Sequence, residues 1–77
     1  MANSDTDWSL YRSFLAVMRE GSLSAAARAL GTTQPSVGRH VAALEAALGV
    51  PLFTRSPEGL KPTPTALSLR QPAEAMA

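Results

Sequence analysis

Three short apolar stripes of helical period, each cut off by a glycine, constrain this chain more than any other feature. Leu10, Phe14, Val17 and Met18 mark one face of a first helix, which Gly21 closes. Tyr11 flanks that stripe, and Arg12, Ser13, Arg19 and Glu20 fall off it. Leu23, Ala26, Ala27 and Leu30 follow at i, i+3, i+4 and i+7, with Ser22 as cap and Gly31 as stop. This second helix spans only about two turns, so it needs packing to persist. Thr33 starts a third helix over 33–48, with Pro35 in its first turn, where a missing N–H costs nothing. Val37, Val41, Leu44 and Leu48 fall within about 60° of one another on a helical wheel and are predicted to face the core. Gly49 and Pro51 prevent continuation. Two helices joined by three or four residues that include a glycine read as a helix-turn-helix over about 23–42.

The flanks complete the architecture. Residues 1–6 are polar and predicted disordered, with Thr6 or Asp7 as cap of the first helix. Leu52-Phe53-Thr54 and Leu60-Lys61 are short extended runs around the turn-rich Arg55-Ser56-Pro57-Glu58-Gly59, which reads as a β-hairpin. Thr63-Pro64 opens a last helix, in which Pro72 costs about 3 kcal/mol unless the helix kinks or stops. The predicted fold class is therefore mainly α: a winged helix-turn-helix over 7–62 with a three-helix core and a two-stranded wing, then a helix starting within 63–77.

Composition removes several function classes. Seventy-seven residues suit one small domain, burying roughly 60% of its unfolded surface. A hydrophobic share of 45% with 17% charged residues describes an ordinary globule rather than a disordered tail. With no cysteine and a single histidine, the segment offers no disulfide, metal or cofactor site. It lacks both a secretory leader and an apolar run of about 18 residues, so a cytoplasmic protein without membrane association is expected. No carboxylate pair shares a predicted face, which argues against acid–base or nucleophilic catalysis and hence against an enzyme. Formal charge is only +1, yet residues 8–77 hold seven Lys/Arg against four Glu, a balance of +3. That footprint is sparse but compatible with double-stranded DNA as partner.

The outward face of the third helix carries the functional signal. Gln34, Pro35 and Ser36 occupy its first turn, and Arg39 and His40 follow one turn later. A helix entering the major groove by its N-terminus presents such positions to base edges. Glutamine pairs with adenine N6 and N7, and arginine with guanine O6 and N7. Pro35 offers a thymine methyl an apolar surface, and Ala42 and Ala46 leave the rest of the face free of bulk. Amides at the starts of the second and third helices, with Ser22, Ser24, Thr32 and Thr33, suit phosphates. Arg55 and Lys61 flank the hairpin turn and reach toward sugar-phosphate backbone or minor groove. Gly38 costs up to about 1 kcal/mol against alanine, which close backbone approach would explain. Each residue also has a plainer reading. Solvated helix faces carry Arg, Gln and Ser, helix initiation accounts for Thr33 and Pro35, and histidine is more often a surface residue than a base reader. A winged-helix module that binds protein remains an alternative, though such a face would favour exposed aromatics.

The order of these segments resembles one family. Phe14-Leu15-Ala16-Val17, Gly21-Ser22-Leu23-Ser24-Ala25-Ala26-Ala27-Arg28-Ala29-Leu30, Thr33-Gln34-Pro35-Ser36-Val37-Gly38-Arg39-His40-Val41, and Leu44-Glu45 with Leu48-Gly49-Val50-Pro51-Leu52-Phe53 are similar to the amino-terminal domain of LysR-type transcriptional regulators. The resemblance covers roughly 8–66 and includes Arg55 and Thr63. It implies that the third helix reads DNA, that Leu52–Lys61 form the wing, and that a linker helix pairs two copies into a homodimer on a partly palindromic operator. It also implies that Gln34, Pro35, Ser36 and Arg39 approach bases while Thr32, Thr33 and Arg55 lie near backbone. A small-molecule effector is expected only for a C-terminal domain missing from this sequence. The chain departs from the family pattern at Gly38, usually serine, and at His40, often glutamine. It departs again at Glu58, where a second wing arginine is common, and at Ala66, a frequent glycine. The DNA-binding domain of molybdate-responsive regulators is the neighbouring alternative.

Overall fold

The computed structural model describes residues 4–57 and 59–76. Helices α1 (Ser4–Glu20), α2 (Leu23–Leu30) and α3 (Gln34–Leu48) precede strands β1 (Phe53–Ser56) and β2 (Gly59–Pro62), and helix α4 (Pro64–Met76) ends the fold. The strands pair antiparallel, with Phe53 opposite Pro62, Thr54 opposite Lys61 and Arg55 opposite Leu60.

Helix α1 is the axle of the domain, in contact with α2, α3 and α4. Five consecutive residues, Ser13 to Val17, are buried. Neighbours on several sides thus override the single stripe, and Ser13, expected off the apolar face, is only 2% exposed. One side of α1 packs Phe14 and Leu15 with Leu44, Leu52, Ala66 and Ala73. The other packs Ala16 and Val17 with Ala26, Ala27, Val37 and Val41. Phe53 touches both groups and sets its ring 5.8 Å from that of Phe14, so the wing is bolted to the core by an aromatic pair. The alanines of α2 keep its backbone close to α1 and α3, consistent with a two-turn helix held by packing.

Helix ends follow local chemistry. Ser22 Oγ accepts the Ala25 N–H at 3.1 Å to start α2. Gly31 ends it at φ 70°, a left-handed conformation that costs glycine nothing, and the Thr32 N–H returns to the Ala27 carbonyl at 2.9 Å. Thr33 caps α3 and Gly49 terminates it.

Two expectations are corrected, and the course of the last helix, left open by Pro72, is resolved. Helix α1 begins at Ser4, so Thr6 and Asp7 lie inside it rather than capping it, and residues 4–6 are helical; residues 1–3 fall outside the described residues. The stretch Ser4–Asp7 contains several cap-forming residue types and no helix breaker, so sequence does not choose among the starts. Leu48, predicted to face the core, is 40% exposed. It belongs to the last turn of α3 and sits with Val50 and Leu69 on an open groove beside α4. Pro72 neither stops nor ends α4, which continues to Met76. Ala66 and Ala73 on either side of Pro72 are fully buried, so packing holds the helix through the missing hydrogen bond.

The wing is anchored at both ends of its base. Glu45 Oε2 accepts the Leu52 N–H at 2.7 Å and the Phe53 N–H at 3.3 Å. Thr63 N–H donates to the Leu52 carbonyl at 2.9 Å, and its hydroxyl donates to the Pro51 carbonyl at 2.9 Å while capping Ala66 N–H at 3.2 Å. Gly59, at φ 125°, brings β2 against the α1–α2 turn; a Cβ there would stand 3.3 Å from the Gly21 carbonyl oxygen. These restraints fix the wing relative to α2 and α3.

Candidate nucleic-acid interface

The start of α3 is organised by side chains of its own first turns. Thr33 Oγ1 accepts the Ser36 N–H at 3.3 Å and donates to Ser36 Oγ at 2.9 Å. Arg39 Nη2 donates to the same Ser36 oxygen at 3.4 Å. The hydroxyls of Thr33 and Ser36 therefore serve the helix and the arginine before any ligand arrives. Pro35 is the second residue of α3, one place later than the start, and Gln34 carries the amide that opens it.

Pro35, Arg39, Ala42 and Ala46 are exposed and form one outward strip along α3, and Gln34 is exposed on its wing-side flank. Gln34 looks across a cleft at Arg55 and Ser56 of the wing and at Ser22 and Ser24 of α2. Ser24 and Arg55 are exposed at its mouth, whereas Ser22 is half-buried as the α2 cap. Lys61 is exposed on β2, opposite Thr54. The fold thus gathers parts of α2, α3 and the wing, far apart in sequence, onto one surface.

Other sequence-selected residues are placed differently. Thr32 is exposed, but its backbone N–H is committed to Ala27, leaving only the hydroxyl for a ligand. Gly38 is half-buried and turned to Leu23, whose Cδ1 would lie 3.7 Å from an added Cβ. An alanine fits there, so the backbone of α3 is not forced bare by α2. His40 is half-buried on the α1 side of α3, its Nδ1 2.7 Å from Ser13 Oγ. Glu58 lies outside the described residues.

Ser13 and Glu45 organise this surface without being singled out from the sequence, and Thr63, read there as the opening of the last helix, also ties down the wing base. Ser13 gave no signal, because its burial depends on α3 packing over it. Glu45 and Thr63 stood within the family-like segments, but their partners at 51–53 are revealed only by the folded wing base. Among the described residues, no group of three or more His, Cys, Asp and Glu side chains gathers to hold a metal. Nor is any described helix long and apolar enough to cross a membrane.

Residues 8–67 match the family model described as a bacterial regulatory helix-turn-helix protein, lysR family. The chain belongs to the LysR family. It is 45% identical over 65 residues to the HTH-type transcriptional regulator TfdS of Cupriavidus pinatubonensis, an alignment covering 84% of this chain and 22% of TfdS. The crystal structure of the CbnR DNA-binding domain in complex with DNA superposes at a TM-score of 0.85 and 35% identity, covering 90% of this chain and 79% of that one. The BenM DNA-binding domain bound to its catB site 1 DNA gives a TM-score of 0.85 at 33% identity, covering 90% and 78%.

This LysR domain spans 22–33% of the length of the curated relatives it matches first. It is a LysR-type helix-turn-helix DNA-binding domain, and the matched relatives are transcriptional regulators rather than enzymes. The comparisons do not favour the protein-binding winged helix or the molybdate-responsive regulator.

Proposed function

We propose that this LysR-type domain recognises a specific duplex by laying the N-terminal half of α3 in the major groove. The observation that carries this reading is the exposed strip of Pro35 and Arg39, flanked by Gln34 and cleared of bulk by Ala42 and Ala46. Arg39, which also donates to Ser36 Oγ at 3.4 Å, suits guanine O6 and N7 by its chemistry, and Gln34 suits adenine. Ser36 is half-buried and acts chiefly through Arg39 on this reading. Ser24 and the α2 start, together with Arg55 and Lys61 of the wing, take backbone phosphates and set the register.

The exposed Leu67 and the apolar groove beside Leu48 support pairing of two copies through α4. A dimer reads two half-sites about 34–36 Å or a multiple apart, which makes the operator partly palindromic. The DNA-binding segment itself needs no cofactor, and a small-molecule effector acts on sequence outside these 77 residues. Cytoplasmic placement follows from the same regulatory role.

Selection of bound sequences from a random duplex pool, followed by salt-dependent titration of the winner, tests the reading. Recovery of a motif with two related half-sites is expected for a dimer, and one half-site for a monomer. Absence of any enriched motif would refute sequence-specific reading by α3.

A further inference from the structure

Ser13 is the one buried polar side chain among the described residues, and its hydroxyl has a single partner, His40 Nδ1. A buried hydroxyl must donate its proton to avoid an unmade hydrogen bond. That need is met when His40 Nδ1 accepts, which places the ring N–H on Nε2. The ring lines an open cleft of about 170 Å³ between the N-terminal half of α1 and the turn before α3. Arg12, Thr32 and Ser9 line the same cleft. Arg12 and Thr32 are exposed. With the Thr32 amide already bonded to Ala27, the cleft presents side-chain donors: a guanidinium, an imidazole N–H and two hydroxyls.

We infer that this cleft binds a backbone phosphate of the DNA, on the flank of α3 opposite the wing. Arg12 supplies the charge, His40 Nε2–H and the Thr32 hydroxyl supply directed hydrogen bonds, and Ser13 is the positioning residue that fixes the imidazole tautomer. The inference rests on the proposed docking of α3 and changes the role of His40 from base reader to phosphate ligand. It also gives Arg12, placed outside the helix-turn-helix, a part in binding.

The test uses the 77-residue chain with the duplex selected above and with a random duplex of equal length. Arg12→Ala and His40→Ala are expected to weaken both duplexes by the same factor, several-fold each. In Arg12→Ala the salt slope of log K should become shallower by about 0.9, the value for one phosphate left without its cation. A methylphosphonate scan should find one backbone position whose neutralisation weakens the parent but not Arg12→Ala. Nitrogen chemical shifts of His40 should report a proton on Nε2 in the parent, and His40→Gln should retain most of the affinity. Weakening confined to the selected duplex would make His40 or Arg12 a base reader and overturn the inference. Full affinity and slope in both variants, while Arg39→Ala still binds poorly, would overturn it and leave the docking of α3 standing. If Arg39→Ala also binds as the parent does, the docking itself fails and the phosphate site fails with it.

Discussion

Removing the Glu45 carboxylate should loosen the wing more than any other single change at its base. Its Oε2 takes two backbone amides, Leu52 N–H at 2.7 Å and Phe53 N–H at 3.3 Å, and Leu52 is fully buried. A hydrogen bond to a charged acceptor contributes about 1.5–3 kcal/mol, but the 3.3 Å bond is long and Glu45 is only half-buried, so water recovers part of the loss. Glu45→Ala should therefore cost about 2–3 kcal/mol, while Glu45→Gln, which keeps a neutral acceptor, should cost about 1 kcal/mol. In a domain of this size each kcal/mol moves the melting point by about 4–8 °C, so the alanine variant should melt about 10–20 °C low. Circular dichroism melts give the ordering, and amide hydrogen exchange at Leu52 and Phe53 localises it. Both amides should exchange faster in Glu45→Ala than in Glu45→Gln, with those of α2 less affected below the melt. Equal melting points for parent, Gln and Ala would refute the clamp. So would a uniform rise in exchange, which would mean global destabilisation without a local hinge.

Four further outcomes follow from the same geometry. Gly38→Ala should raise stability by about 0.5–1 kcal/mol, because its Cβ meets only Leu23 Cδ1 at 3.7 Å; a lower melting point would show that the site is tighter than it looks. Gly59→Ala should destabilise by about 1–3 kcal/mol through its φ of 125° and the Gly21 carbonyl 3.3 Å from the new Cβ, and an unchanged melt would refute that strain. Thr63→Val should lose about 1 kcal/mol with the α4 cap, read as a drop in melting temperature; a parent-like melt would dissociate the cap from stability. Arg39→Ala should cost about 1–3 kcal/mol on the selected duplex and relax preference at one base position, and a parent-like affinity would remove Arg39 from the readers.

The helices were legible in the sequence because their signals are local. Ser22 and Thr33 cap as hydroxyls next to apolar periods do, and Gly31 and Gly49 stop helices by adopting left-handed backbone. The turn between Ser56 and Gly59 was legible too, since Pro and Gly punctuate two short extended runs. From those elements the winged fold could be read, and Gln34, Pro35 and Arg39, selected from sequence as the face proposed to meet DNA, are exposed.

What sequence left open depends on which elements surround a residue. Ser13 belongs to no apolar stripe, but α1 is enclosed on several sides, so a hydroxyl there must find a partner, and α3 brings His40 to it. Leu48 continues the period of Val37, Val41 and Leu44, but the last turn of α3 leaves α1 and ends beside α4, where burial is incomplete. Pro72 carries a local penalty that the burial of Ala66 and Ala73 outweighs. Glu45 looks like any exposed helix acid until the chain turns back at Pro51 and sets two amides against it. Periodicity and capping by themselves determined the elements of this domain, because those energies act within a turn or two of chain. Only the tertiary structure decided which polar groups act as fasteners, because that depends on partners 7 to 27 residues away.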